Sequence, residues 1–285
     1  MYFPSALFVV LKWGAFVFLL NISLIYQTKA DEPELRVAVL ADKVDEAPAL
    51  LAMLNKNGFD AVQIAQKDLD EMISAIEADE NPLNAYDAVI MYIHSVLKPD
   101  VEQAIISYTQ SGGRMLVVHH GLASAKCRNP DYMEFLGMKI DTSPDSNRRW
   151  LVTAEIPHVM VNLAPGHFIT TEGIDYGEEK IEYVSPDREE LRGEFASFSL
   201  PNTEIFHNQM FTDGREKTVL FGYRWENPDT GNVMMEDTSG WTKPVGEGLL
   251  IYLQAGHADH DFENPNYGQV IRNALVWEAD EQEAE

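Results

Sequence analysis

A short apolar run followed by a helically spaced segment recurs along the first part of this chain, and that alternation restricts the fold more than any other feature. Residues 35–40 (LRVAVL) read as a buried strand, apolar at every position but one. Residues 45–57 follow with Leu50, Leu51 and Leu54 at helical spacing, and Asn57 with Gly58 ends the helix. The pattern repeats as strand 59–65 and helix 68–78, then strand 86–94 and helix 99–110, then strand 114–120. Pro99-Asp100 suits a helix start, and Ser111-Gly112-Gly113 a helix stop and turn. Strands that are apolar on both faces and separated by helices belong to a parallel sheet covered on both sides. The expected class is therefore α/β, a doubly wound, mainly parallel sheet with helices on both faces.

The later chain is less regular. Residues 127–201 hold one expected strand, 150–155, and read as an elaboration on the sheet within a single domain spanning 31–278. Strands are expected again at 217–225 (KTVLFGYRW) and 248–254 (GLLIYLQ), and 266–277 reads as a closing helix. Residues 279–285 form an acidic tail, read as a solvated end.

Before the first strand, residues 3–26 carry a single charge, Lys12, and Thr28-Lys29-Ala30 places small residues on either side of Lys29. This reads as a secretory signal over residues 1–30 with Asp31 as the first mature residue, which makes the protein periplasmic or secreted and leaves no stable membrane association after cleavage. The alternative is an uncleaved N-terminal membrane anchor, for which the apolar stretch is short. Lys and Arg number 21 against 46 Asp and Glu, a net charge of −25. A field of that sign repels nucleic acid and anionic lipid surfaces. The single cysteine, Cys127, excludes an internal disulfide and a thiolate zinc site.

In an open parallel sheet, ligands bind outside the carboxyl ends of the strands. Histidines stand at three such ends: His94 closes IMYIH, the pair His119-His120 closes MLVVHH, and His257 follows IYLQAG. Because successive strand residues point to opposite faces, one of His119 and His120 is expected to face the cleft. Imidazoles that share a cleft ligate metal or exchange protons near neutral pH. Residues 254–261 (QAGHADHD) are the densest polar cluster, and Asp259 is the expected carboxylate that orients His257. The plainer alternative is a loop whose carboxylates cap the following turn.

These stretches also carry a family resemblance. Gly112-Gly113 and the strand ending in His119 resemble the glycine pair, strand and terminal His of the ThuA-like family, named for trehalose utilisation. Gly166-His167-Phe168-Ile169-Thr170 resembles its HPIT element and Thr203-Glu204-Ile205-Phe206 its DELY element. The segment 241–277 resembles its ending, through Trp241, Gly246-Glu247-Gly248, Gly256-His257, Asn273-Ala274 and Trp277. The resemblance implies the flavodoxin-like fold of class I glutamine amidotransferases. His119 then stands in the neighbourhood of the amidotransferase nucleophile, and Cys127 lies eight residues further on, so thiol-dependent glutamine hydrolysis is not expected. Histidines usual in the family are missing near 41–44 and at 136–140.

The resemblance implies a saccharide substrate class, so the leading expectation is a carbohydrate-active hydrolase or lyase acting on a small saccharide or oxidised glycoside. His119 and His257, with Asp259, are the expected catalytic residues. His94, His120, Glu204 and Trp241 are expected against substrate, with Tyr252, Phe262 and Tyr267 as further stacking or core aromatics. A divalent ion, zinc, manganese or iron, held by His119, His257 and Glu204 is one reading of the cluster. Histidines serving only as proton-transfer or hydrogen-bonding groups are the other. The alternative function is a non-catalytic carbohydrate- or partner-binding protein on a degenerate amidotransferase fold.

Overall fold

Strands β1 (Arg36–Ala41), β2 (Asp60–Ala65), β3 (Ala88–Met91) and β4 (Arg114–Val118) alternate with helices α1 (Pro48–Lys56), α2 (Gln66–Ala75) and α3 (Pro99–Gln110), as the apolar runs require. The structure, a computed structural model, describes residues 35–76, 80–213 and 217–278, so the expected signal 1–30 and acidic tail 279–285 lie outside the described residues. Further along come α4 (Pro130–Leu136), β5 (Met138–Ile140), β6 (Leu151–Asn162), α5 (Phe168–Thr171), β7 (Lys180–Val184) and β8 (Arg192–His207). The chain closes with β9 (Gln209–Phe211), β10 (Thr218–Glu226), β11 (Val233–Val245), β12 (Gly248–Leu253), α6 (Asp259–Glu263) and α7 (Pro265–Val276).

Ten strands form one sheet in the order β2-β1-β3-β4-β12-β11-β10-β6-β8-β7. The first five are mutually parallel, in the flavodoxin-like order 2-1-3-4-5. From β12 onward every pairing is antiparallel. The expected mainly parallel sheet is thus the half built by the alternating segments. The region 127–201, expected to hold one strand, contributes β6, β7 and most of β8 to the antiparallel half.

The period of two along each parallel strand divides its side chains between two cores. Val37, Val39, Ile90, Leu116, Val118, Ile251 and Leu253 face α1 and α7, meeting Leu50, Val270 and Ile271. Ala38, Leu40, Val89, Met91, Met115, Val117, Leu250 and Tyr252 face α2, α3 and α4, meeting Leu69, Ile105, Tyr132 and Phe135. That double burial is why these strands read as continuous apolar runs, and a Leu-to-Ala change in either layer costs about 2–5 kcal/mol. Among the described residues no helix is long and apolar enough to cross a membrane.

The antiparallel half also folds back on the parallel half. Phe206 of β8 exchanges hydrogen bonds with the side chain of Gln254 just beyond β12, although β8 lies four places away in the sheet. Thr203 Oγ1 donates to Asp261 Oδ2 at 2.6 Å, and His260 Nε2 pairs with Pro201 O at 2.8 Å. These fasteners carry the middle of β8 over the carboxyl ends of β4 and β12.

Candidate functional site

At the end of β4 the strand stops at Val118, and His119 begins a 3₁₀ turn, His119–Leu122, with φ +40°. A non-glycine residue in that region carries roughly 1–2 kcal/mol of local strain. The turn is tight: a Cβ on Gly121 would come within 2.6 Å of Met91 O. Because strand geometry ends before His119, the alternation expected of His119 and His120 does not apply, and both rings enter one cluster. Beyond β12 the chain turns at Gly256, φ +109°, where a Cβ would meet Val118 Cγ1 at 2.7 Å. Only glycine fits there, and the turn brings His257 against His119 at 5.2 Å between ring centroids.

Glu204 completes the group from β8. Its Oε2 lies 3.2 Å from His119 Nε2 and 3.5 Å from His257 Nδ1. His119 is fully buried, and the His257 ring is 37% exposed. His120 joins the group, so that one ligand atom from each of His119, His120, Glu204 and His257 lies within 4.8 Å of the others. His94 stacks flat on His120 at 4.2 Å, and Tyr92 lies 5.7 Å from His120.

The hydrogen-bond partners fix the tautomer of His119. Its Nδ1 lies 2.6 Å from the main-chain oxygen of Gln254, which only accepts, so Nδ1 carries the hydrogen. Burial lowers the His119 pKa, against the opposing pull of Glu204 and Gln254. For Glu204 burial raises the pKa, but the hydrogen bond from His119 and the nearby His charges outweigh it and the net shift is downward. With Nδ1 committed to Gln254, a neutral His119 meets the carboxylate oxygen with its Nε2 lone pair, whereas the bond that lowers Glu204 needs positive charge between the two atoms, a proton or a cation. Nδ1 of His257 is buried without a hydrogen-bond partner beside that same oxygen. Two acceptors at 3.2 Å repel unless a positive centre lies between them.

The spacing fits a divalent cation. Ligand atoms of a tetrahedral zinc with bonds near 2.0–2.1 Å are about 3.3 Å apart, and the two contacts of Glu204 bracket that value. Two imidazoles and a carboxylate are a donor set suited to zinc, manganese or iron. His120 is kept neutral as well, its pKa pushed down to about 2 by burial and by His119, His94, His257 and Lys126.

The loop that presents His94 is clamped from two sides. Asp42 accepts from His94 N at 2.8 Å, from Ser95 N and from the Ser95 hydroxyl. Lys126, fully buried, donates to the carbonyls of Ile93 at 2.7 Å, Ser95 at 2.6 Å and His94 at 3.3 Å. Burial brings the Lys126 pKa down to about 7, with Asp42 opposing.

Two expected site residues stand elsewhere. Asp259 is exposed at the start of α6, and the carboxylate beside His257 is Glu204, from a strand remote in sequence. Asp261 takes the capping role that the plainer reading gave to this loop, accepting from Ala258 N at 3.2 Å. Trp241 is fully buried on β11, against Tyr252 and Phe211, and offers no face to a ligand. Tyr252, Phe262 and Tyr267 are likewise core. Two motif residues lock the fold: His167 caps α5 by accepting from Ile169 N at 3.1 Å, and Asn273 donates to Glu172 O at 2.7 Å. Phe206 and Gln254 stand in the DELY-like element and in the 254–261 cluster, and no sequence signal marks either one individually. Phe206 stacks on His119 at 4.3 Å.

The family model described as ThuA, trehalose utilisation, matches residues 37–278. A ThuA-like protein from Parabacteroides merdae superposes with a TM-score of 0.59 at 10% identity, over 87% of this chain and 94% of that one. A second, from Bacteroides uniformis, gives 0.51 at 16% identity, over 88% and 94%. At these identities the likeness is one of fold. No curated protein matches the chain.

Proposed function

This chain belongs to the ThuA, trehalose utilisation, family, and from that premise we propose that it is an exported enzyme that processes a small saccharide or oxidised glycoside at the histidine cluster. The observation that carries the proposal is the convergence of His119 Nε2 and His257 Nδ1 on a single oxygen of Glu204, at 3.2 and 3.5 Å. His119, His257 and Glu204 hold a divalent cation in this reading. Such a cation, when bound, polarises a substrate oxygen and acidifies a bound water.

The remaining roles fall to side chains around that set. His119 is buried at the base, fixed by Gln254 O, and sits behind Glu204. His257, the more open of the two, stands toward substrate. His120 and His94, stacked at the rim, present ring nitrogens to sugar hydroxyls. General acid and base help from a group such as His257 contributes about 10²- to 10⁴-fold in rate. The saccharide class rests on the family description, and the rim of imidazoles suits hydroxyl-rich ligands.

Turnover on a panel of small saccharides and their oxidised glycosides tests the reading, with wild type beside His119→Ala and His257→Ala. Loss of turnover in both folded variants is expected. Sugar binding without turnover above background in wild type would leave a non-catalytic carbohydrate-binding protein, and turnover unchanged by either substitution would remove the histidine cluster from the reaction. Export is supported by the apolar segment at residues 1–30, and the exported protein is expected to begin at Asp31. Recovery of intact residues 1–30 in a membrane fraction would overturn it.

A further inference from the structure

Gln254 is fully buried and uses both ends of its side chain on one residue of another strand. Its Oε1 accepts from Phe206 N and its Nε2 donates to Phe206 O, each at 3.2 Å. The amide thereby replaces the main chain of a neighbouring strand at a point where β8 and β12 are four places apart in the sheet. The main chain of Gln254 is committed too: N donates to Ser239 O at 2.8 Å, and O accepts from His119 Nδ1 at 2.6 Å. One residue at the end of β12 thus touches β8, β11 and the ring of His119.

Phe206 and Glu204 are two residues apart on β8 and so project to the same side of it. The Phe206 ring stacks on His119 at 4.3 Å, and the Glu204 carboxylate reaches His119 Nε2 at 3.2 Å. The spacing between Glu204, His119 and His257 therefore depends on where β8 is held, and the Gln254 amide holds it one residue pair from the carboxylate. The Thr203 to Asp261 bond secures β8 on the other side of Glu204.

We propose that Gln254 is a positioning residue for the cluster, which through Phe206 sets the Glu204 to His119 spacing that a divalent cation requires. This rests on the metal reading given above. Groups that orient metal ligands change affinity by about 10- to 100-fold when removed.

The test compares the full chain with Gln254→Met, which keeps the shape and loses both hydrogen bonds, and with Gln209→Met as control. Gln209 is also buried, on β9, and its side chain forms no hydrogen bond with Phe206, Glu204 or the clustered histidines. Zinc is titrated against a competing chelator at neutral pH, and thermal unfolding is followed in parallel. The expected result is a 10- to 100-fold loss of zinc affinity in folded Gln254→Met and no loss in Gln209→Met. Equal affinity in wild type and Gln254→Met would overturn the proposal. If Gln254→Met fails to fold, Gln254→Glu, which can still accept from Phe206 N, is read the same way.

If wild type binds no zinc, the metal reading falls, and the proposal is then judged by the imidazole ¹⁵N signals of His119. A shift in Gln254→Met relative to wild type that Gln209→Met does not reproduce supports positioning by Gln254. Unchanged His119 signals refute it.

Discussion

His207 makes the protein acid-sensitive by an amount that the structure sets. The ring is buried in the antiparallel half, with Nδ1 2.7 Å from the Tyr223 hydroxyl and Nε2 2.8 Å from Thr153 Oγ1. Burial pulls its pKa down to about 4 from an ordinary value of 6.5. The folded form therefore stays neutral between pH 6.5 and 4 while the unfolded chain takes up a proton. Stability from this group is fully present above pH 6.5 and is lost as pH falls through that window. At 1.36 kcal/mol per unit, the loss is about 3 kcal/mol by pH 4. Urea unfolding of wild type and His207→Gln at pH 8, 6.5, 5 and 4 measures it. Both proteins lose stability through other groups, so the informative quantity is the difference between the two curves. Wild type should lose about 3 kcal/mol more than the variant between pH 6.5 and 4. Parallel curves would refute the assignment of a neutral, buried His207.

Two further outcomes follow from backbone geometry. At His119, φ +40°, His119→Gly should be more stable than His119→Ala by about 1 kcal/mol in thermal unfolding, because glycine alone occupies that region without strain. Gly256→Ala should destabilise by about 1–3 kcal/mol, since the added methyl meets Val118 Cγ1 at a residue with φ +109°; a melting temperature equal to wild type would mean the turn is not fixed as described.

The parallel half was legible in the sequence because each of its strands is apolar on both faces, which leaves a continuous run that no polar alternation obscures. The boundaries shifted where function enters: the strand expected to run to His120 ends at Val118, because the turn at His119 leaves strand geometry. The antiparallel half was largely hidden. β8 is sixteen residues long but mixes exposed, half-buried and buried positions without a clean period, and β11 was missed altogether. At the site, His94, His119 and His257 could be placed together because strand ends share a rim, whereas strand alternation left only one of His119 and His120 facing the cleft, and the structure brings in both. Glu204 came to the expected site only through the resemblance of residues 203–206 to the DELY element; spacing by itself shows only neighbours such as Asp259 beside His257, because Glu204 arrives on a strand folded back from the far half. Trp241 was misplaced because an aromatic near a cleft in sequence carries no mark of which face it occupies, and its face is the core.

His119, His257 and Glu204 are proposed to form one cation site. Metal content and zinc affinity of untagged protein at neutral pH, measured for wild type, Glu204→Gln and His257→Ala, test it most directly. About one equivalent of divalent metal is expected in wild type, and an affinity at least tenfold lower in each folded variant. Wild type without zinc binding above background, or variants that bind as tightly as wild type, would contradict it.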